Sequence, residues 1–543
     1  MLMLLSAGGC STPPAAHQHA HHAVEAPPPL FDDLGTYHRA ITTASPQAQA
    51  YFDQGLRLAY AFNHYEAQRA FREAARLDPE CAMCYWGVAL TYGSNYNSPT
   101  DADRERGAWE AVQRARSAAG RATERERATI EALAARHSSD PKAARPALDR
   151  AYADAMRQVT QRFPDDLDAA TFFADAMMNL RPWNLWTQDG KPQPETEEIV
   201  ETLERVLAAN PSHPGANHLY IHAIEASPDP GRGTAAADRL GPLMPGAGHL
   251  VHMPSHIYLK TGRYADAVTA NERAVAADRA YFKKGRPSPA YRMGYYPHNI
   301  DFIWLAASMG GRSADTIRAA REYAAAMPPE MARQMSDMEP GPAAPYFALA
   351  RFGRWQELLE EKAPDPSLPY ATGAWRYSRG LAFAATGRPE AARTELAELR
   401  KLAETVPADR TVASFFKTAD MLRLASDVLA GEIAARQGDT ATAVRHLSAA
   451  VQTQDGHWFT EPPPWYFPVR QALGAALLEG GRPAEAEEVY REDLHRNPAN
   501  GWSLFGLAQS LRAQDRGAEA SIIELRFQRA WTGADVTLKA SRF

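Results

Sequence analysis

AQAYFDQGLRLAYAFNHYEAQRAFREAARLDP, residues 48–79, reads as two amphipathic segments joined by a short polar turn. Tyr51, Gly55 and Leu58 recur at three- and four-residue steps in the first segment, and Ala67, Phe71 and Ala74 do so in the second. Such steps gather side chains on one face of a 3.6-residue helix. Leu77-Asp78-Pro79 closes the pair, because proline has no N–H with which to continue a helix. The stretch predicts a helix–turn–helix unit whose wide apolar face needs a neighbouring unit to cover it.

The same pattern recurs along the chain. A unit starting at Phe467 has Gly474, Gly481-Arg482, Ala486, Tyr490 and Pro498, and the helix after it, from Gly501, carries Leu504, Leu507, Ala508 and Leu511. In the middle, HIYLKTGRYADAVTANERAVAAD follows Ser255, with Gly262-Arg263-Tyr264 at the turn and Ala267 at the second small position. Further turn signals stand at Phe352–Trp355, Thr386–Ala392 and Gln437–Ala443. Aromatic, small and large residues followed by Ala, aromatic, Ala and a closing Pro form the tetratricopeptide-repeat (TPR) template. Residues 47 to 535 resemble the TPR superfamily on these positions, which implies an all-α fold: a TPR-type α-solenoid, a right-handed superhelix of antiparallel helix pairs. The units fall into N-terminal (47–165), central (166–330) and C-terminal (331–535) groups, with a tail at 536–543.

Basic side chains number 59 and acidic ones 65, a formal charge of −6, so no excess of Lys or Arg is available to neutralise phosphates and nucleic acid is not the expected partner. Residues 1–10, MLMLLSAGGC, run uncharged and apolar or small into Cys10, and a Pro- and His-rich stretch follows at 11–46, read as a disordered tether. Ala7, Gly8 and Gly9 before a cysteine resemble a bacterial lipobox. That resemblance implies lipidation at Cys10, a lipid anchor to the membrane, and a place in the cell envelope facing the periplasm or exterior. Fatty-acid labelling that is equal in wild type and Cys10→Ser would overturn it. The remaining cysteines, Cys81 and Cys84, form a C-x-x-C pair at the start of a helix, open to a structural disulfide, redox exchange, metal binding or plain packing.

Seven of the 17 histidines lie between 213 and 298. His218, His222 and Glu225 follow i, i+4, i+7 spacing, which sets two imidazoles and a carboxylate on one helical face. His252 and His256 stand 34 residues after His218 and His222, and 34 is the TPR period. With Pro211 closing a repeat, both pairs occupy positions 5 and 9 of a first helix, with His249 at position 2 and Glu225 at position 12. In the TPR family that arc lines the concave groove. The same register places Asp168 and Asp175 on the preceding first helix and His298 and Asp301 on a following one. Several imidazoles and a carboxylate on one face point to a transition metal, zinc, copper or iron, with room for two ions. Deprotonated imidazole is the ligand, so such binding weakens as pH falls through about 6 to 7. His17, His19, His21 and His22 on the N-terminal stretch are consistent with metal capture.

NHLYIHAIEAS, HLVHMPSHIY and NPANGWSLFGLAQSL, beginning at Asn217, His249 and Asn497, resemble segments of a group of bacterial TPR proteins with a His-rich middle. Two Pro- and Trp-rich stretches, 181–193 with Trp183 and Trp186, and 455–468 with Trp458, Glu461 and Trp465, are expected to line a groove. Three readings follow: a metal-binding TPR lipoprotein that stores a metal or uses it in a reaction, a scaffold holding a peptide or protein partner, and a small-ligand binder gripped by tryptophans. No Walker, dinucleotide or nucleophile-elbow motif is present, so catalysis would rest on the metal.

Overall fold

The computed structural model describes residues 27–543 apart from Ser414 and Trp458. Helices dominate it. Among the described residues, strand is confined to the antiparallel pair Thr411–Val412 and Phe416–Lys417. The quoted stretch forms the helices Pro46–Tyr60 and His64–Leu77, and each start is set locally. Ser45 caps the first by accepting from Ala48 N–H, and Asn63 caps the second by accepting from Glu66 N–H.

One contact explains why the repeat carries its glycine and its aromatic residue. Phe71 is fully buried between two helices, and a Cβ built on Gly55 or Gly87 would come within 2.7 and 2.3 Å of its ring. Tyr490 repeats the arrangement near the other end of the chain, where added Cβ atoms on Gly474 and Gly506 would reach 2.4 and 2.2 Å. The small positions are the floor on which the next ring sits, as TPR hairpins require. The turns repeat too. Gly262, Gly311, Gly353, Gly387, Gly438 and Gly481 all hold φ between 62° and 78°, the left-handed conformation that closes a helix at no cost to glycine.

Contacts divide the described residues into two compact units, one of 27–254 with 273–296, the other of 255–272 with 297–543. In the first, Ala82–Tyr92 pairs with Ala102–Ala118, Leu167–Met178 with Thr196–Ala209, and Pro214–Ile224 with Thr234–Leu243. The second holds, among others, the hairpins Pro369–Ala385 with Pro389–Thr405 and Gly501–Arg512 with Gly517–Ala530. Each unit is all-α, an array of helix hairpins packed in succession. No helix of the described residues is long and apolar enough to cross a membrane.

Two expectations need correction. The tether does not extend to residue 46: residues 27–45 form a strap fixed to the first unit, with Leu34 buried and the Arg39 guanidinium paired to Asp166 at 3.1 and 3.2 Å. Thr42 adds its N–H and hydroxyl to Glu126 at 2.7 and 2.6 Å. The strap is not itself helical; Gln49, Asp53 and Gln54 of the adjacent helix hold it as well, while Glu126 and Asp166 reach it from more than 80 residues away, beyond any local pattern. The helix expected to carry both His252 and His256 is also broken. Gly248–His252 ends at Met253, and Pro254–Lys260 begins anew, because Pro254 has no N–H to continue the ladder. His252 falls in the first unit and His256 in the second.

Candidate metal centre

His218 and His222 lie on the fully buried helix Pro214–Ile224, and His249 lies on the short helix Gly248–His252. One ring nitrogen of each falls within 4.8 Å of the others. The chemistry of two of these rings is set from behind. His218 Nδ1 is 2.7 Å from the Tyr60 carbonyl oxygen, which only accepts, so Nδ1 carries the proton and Nε2 presents a lone pair. His222 Nδ1 is 2.9 Å from Glu225 Oε1, a carboxylate that fixes the ring in the same sense. This backing by carbonyl and carboxylate is the arrangement that orients metal-binding histidines. His249 Nε2 stands 3.1 Å from His218 Nε2, close to the edge of about 3.3 Å that bonds of 2.0–2.1 Å to a tetrahedral ion would give. All four side chains are 2% exposed or less.

Rings enclose the trio. Phe62 sits against all three imidazoles, its centroid 4.4 Å from His218, 5.7 Å from His249 and 6.1 Å from His222. Tyr96 and Trp183 pack on His222 at 5.1 and 5.5 Å, and Tyr295 on His249 at 4.5 Å. Phe62 stands at the tip of the first hairpin, where the later turns have glycine, and holds φ at 54°; Trp183 holds φ at 61°. An L-residue in that region loses about 1–2 kcal/mol, so two walls of the trio are kept in backbone conformations that cost stability. Strain of this kind collects where function fixes a side chain. Phe62 and Tyr295 also line a cleft of about 430 Å³ in the first unit, whose other walls include Tyr65, Gln68, Tyr92, Asn95 and Arg104.

The other residues singled out by sequence take different places. Trp186 donates its indole N–H to the Ala223 carbonyl at 2.7 Å and so braces the His222 helix. Asp168 is no groove-lining group: it receives the Tyr37 and Tyr60 hydroxyls at 2.8 and 2.5 Å and pairs with Arg39 at 3.2 Å, anchoring the strap. Burial would push its carboxyl up, but Arg39 and His213 together hold it well below the ordinary range. His252 lies 5.9 Å from His249, ring to ring. In the second unit His256 and His298 are 6.1 Å apart and share Phe302, with His256 held neutral by burial. Asp301 accepts from Trp304 Nε1 at 2.6 Å. Glu461 pairs with Lys260 at 3.2 Å, and both line, with Trp465, a cleft of about 250 Å³ in that unit. Cys81 and Cys84 are joined by a disulfide, both fully buried at the start of Ala82–Tyr92. Cys10, Trp458 and the four N-terminal histidines lie outside the described residues.

Asp175 borders a small cavity, about 20 Å³, with His64, Tyr60, Phe62 and Asn95. That is room for one water. Burial pushes its carboxyl up to about 6 against the opposing pull of Arg136, and Oδ1 has no hydrogen-bond partner. A raised carboxyl favours folding below its unfolded value, about 3.9, and that advantage disappears as pH rises through about 6. Asp175→Asn is therefore expected to stabilise the protein by about 3 kcal/mol at pH 7.5 and to change nothing below pH 4. Urea unfolding at the two pH values checks this; an equal effect at both would show that charge is not the cause.

Sequence reasoning missed Phe62, although a signal existed: it occupies the turn position at which Gly262 and Gly481 stand in their own repeats. Tyr96 and Tyr295 left no comparable mark.

No protein-family profile and no curated protein sequence matches the chain. Among solved structures, the human IFIT1 dimer with m7Gppp-AAAA is 12% identical over 90% of this chain and 91% of that one, with a TM-score of 0.31. The TPR domain of P58(IPK) is 12% identical over 86% and 98%, at 0.21, and yeast Tom70 is 12% identical over 90% and 92%, at 0.29.

Proposed function

We propose that this chain is a metal-binding TPR protein whose His218, His222 and His249 hold one transition-metal ion, with Glu225 and the Tyr60 carbonyl orienting the rings. The observation that supports this most directly is the preset tautomer: two imidazoles donate Nδ1–H backwards, to Tyr60 and to Glu225, and turn Nε2 towards the shared space. An all-nitrogen donor set suits zinc, copper or iron rather than magnesium or calcium. Bound there, such an ion would supply a Lewis acid or, for copper and iron, a redox centre. The rings around it keep water out, and the 430 Å³ cleft gives a ligand a place to lie beside it.

Metal analysis of untagged protein tests the reading. Close to one equivalent of zinc, copper or iron is expected. Less than about a tenth of an equivalent, with a melting temperature that added metal leaves unchanged, would overturn it. The second reading, a scaffold for a peptide or protein partner, would then take its place. The cleft favours that alternative independently, since its walls are amides, hydroxyls and tyrosine rings, with Asp101 and Arg104 as the charged pair.

A further inference from the structure

We infer that the cleft of about 430 Å³ in the first unit binds a free amino acid with an apolar side chain, its carboxylate on Arg104, its ammonium on Asp101 and its side chain among the tyrosine rings. This goes beyond the metal-binding reading and does not rest on it. The cleft falls in the range of about 300–1,000 Å³ typical of small-molecule sites. Among the described residues its charged walls are Asp101 and Arg104. His64, a further wall, is neutral: burial, with Arg104 and Arg136 adding to it, pushes its imidazole down to about 3.

Opposite charges three residues apart at a helix start ordinarily pair with each other. These two do not, because the backbone holds each of them. Asp101 caps the helix Ala102–Ala118, its Oδ1 accepting from the N–H groups of Asp103 at 3.0 Å and Arg104 at 2.9 Å. The Arg104 guanidinium donates from Nη1 to the Pro99 carbonyl and from Nη2 to the Gly93 carbonyl, both at 2.8 Å. Pro99 is itself a wall of the cleft, so the guanidinium is fixed beside the space. Burial holds it below the ordinary guanidinium value, with Asp101 opposing and Arg136 adding, as expected of a cation whose charge is only partly compensated. A positive and a negative group thus stand apart in one cleft, with a second carboxylate oxygen and further N–H donors still to be used. Their complement is a molecule that carries both charges itself. Phe62, Tyr65, Tyr92, Tyr291 and Tyr295 line the same space, Tyr65 being 46% exposed, and offer an apolar side chain area to bury. Within a peptide chain one or both of the ligand's charges would be lost to amide bonds, so the pair selects the free amino acid.

Calorimetric titration of the full-length protein with L-phenylalanine as the probe decides this. Saturable binding is expected, with 3-phenylpropanoate, which lacks the ammonium, and 2-phenylethylamine, which lacks the carboxylate, each about 10-fold weaker or more. Asp101→Asn keeps a capping side chain and is expected to erase the preference for phenylalanine over 3-phenylpropanoate. Arg104→Gln is expected to erase the preference over 2-phenylethylamine. If neither phenylalanine nor leucine binds the wild type at millimolar concentration, or if both preferences survive the substitutions, the inference is wrong. Should a variant fail to fold, the two truncated probes on wild type carry the same decision. Prior chelation is expected to leave the affinity unchanged. Binding that disappears on chelation would move the anchor from Arg104 and Asp101 to the metal, whereas unchanged binding in protein that holds no metal would sink the metal-binding reading alone.

Discussion

His222→Ala is expected to lose its metal and, with it, the part of the melting temperature that the metal supplies. Its ring is one of two whose Nδ1 is engaged from behind, which leaves Nε2 for the proposed ion, and Ala leaves the Glu225 carboxylate buried without that partner. A ligand that binds only the folded state stabilises by about 4 kcal/mol at a thousandfold excess over its dissociation constant. The diagnostic is the increment and not the melting temperature itself, because removing a buried imidazole also disturbs packing. Wild type should therefore melt lower after chelation, and His222→Ala should melt at one temperature with or without chelator. Glu225→Gln keeps an acceptor for Nδ1–H but removes its charge, and metal affinity is expected to drop about 10- to 100-fold. A chelator effect of equal size in all three proteins would place the metal elsewhere.

The second large effect concerns the stack itself. Phe71→Ala is expected to destabilise the protein by about 3–5 kcal/mol, because its fully buried ring fills the space left by two glycines. Ile522, 62% exposed on Gly517–Ala530, provides the contrast: Ile522→Ala should stay within about 0.5 kcal/mol of wild type. Since each repeat is stabilised by its neighbours, the Phe71 variant should lose cooperativity as well as stability, seen as a shallower urea transition. A Phe71→Ala effect below about 1 kcal/mol would mean that the hairpins are not held together through this contact.

The fold was legible because its cause is local. Gly55 with Phe71, and Gly474 with Tyr490, meet in the structure at the spacing visible in the sequence, and turn glycines announce the hairpins one by one. The candidate site was legible in part. His218 and His222 do share a face, since four residues on one unbroken helix can hardly do otherwise. His249 could be read only as an accessory, because its approach to His218 depends on how Gly248–His252 packs. Asp168 illustrates the opposite failure. The repeat register set it beside the histidines, but Arg39, Tyr37 and Tyr60 claim it from 108 to 131 residues away, where no periodicity reaches.

Phe62 places robustness and site in opposition at a single residue. Glycine, or to a lesser degree asparagine, would relax its left-handed backbone, as glycine does in the later turns. Neither would cover three imidazoles. Under selection for heat resistance alone, this is a position where the chain can improve by discarding a ring, and the first property to erode would be the enclosure of the histidines. Under selection for whatever the histidines hold, the ring is kept and the turn stays costly. The aromatic residue in a glycine's position thus sets the stability of the first turn against the covering of the histidines.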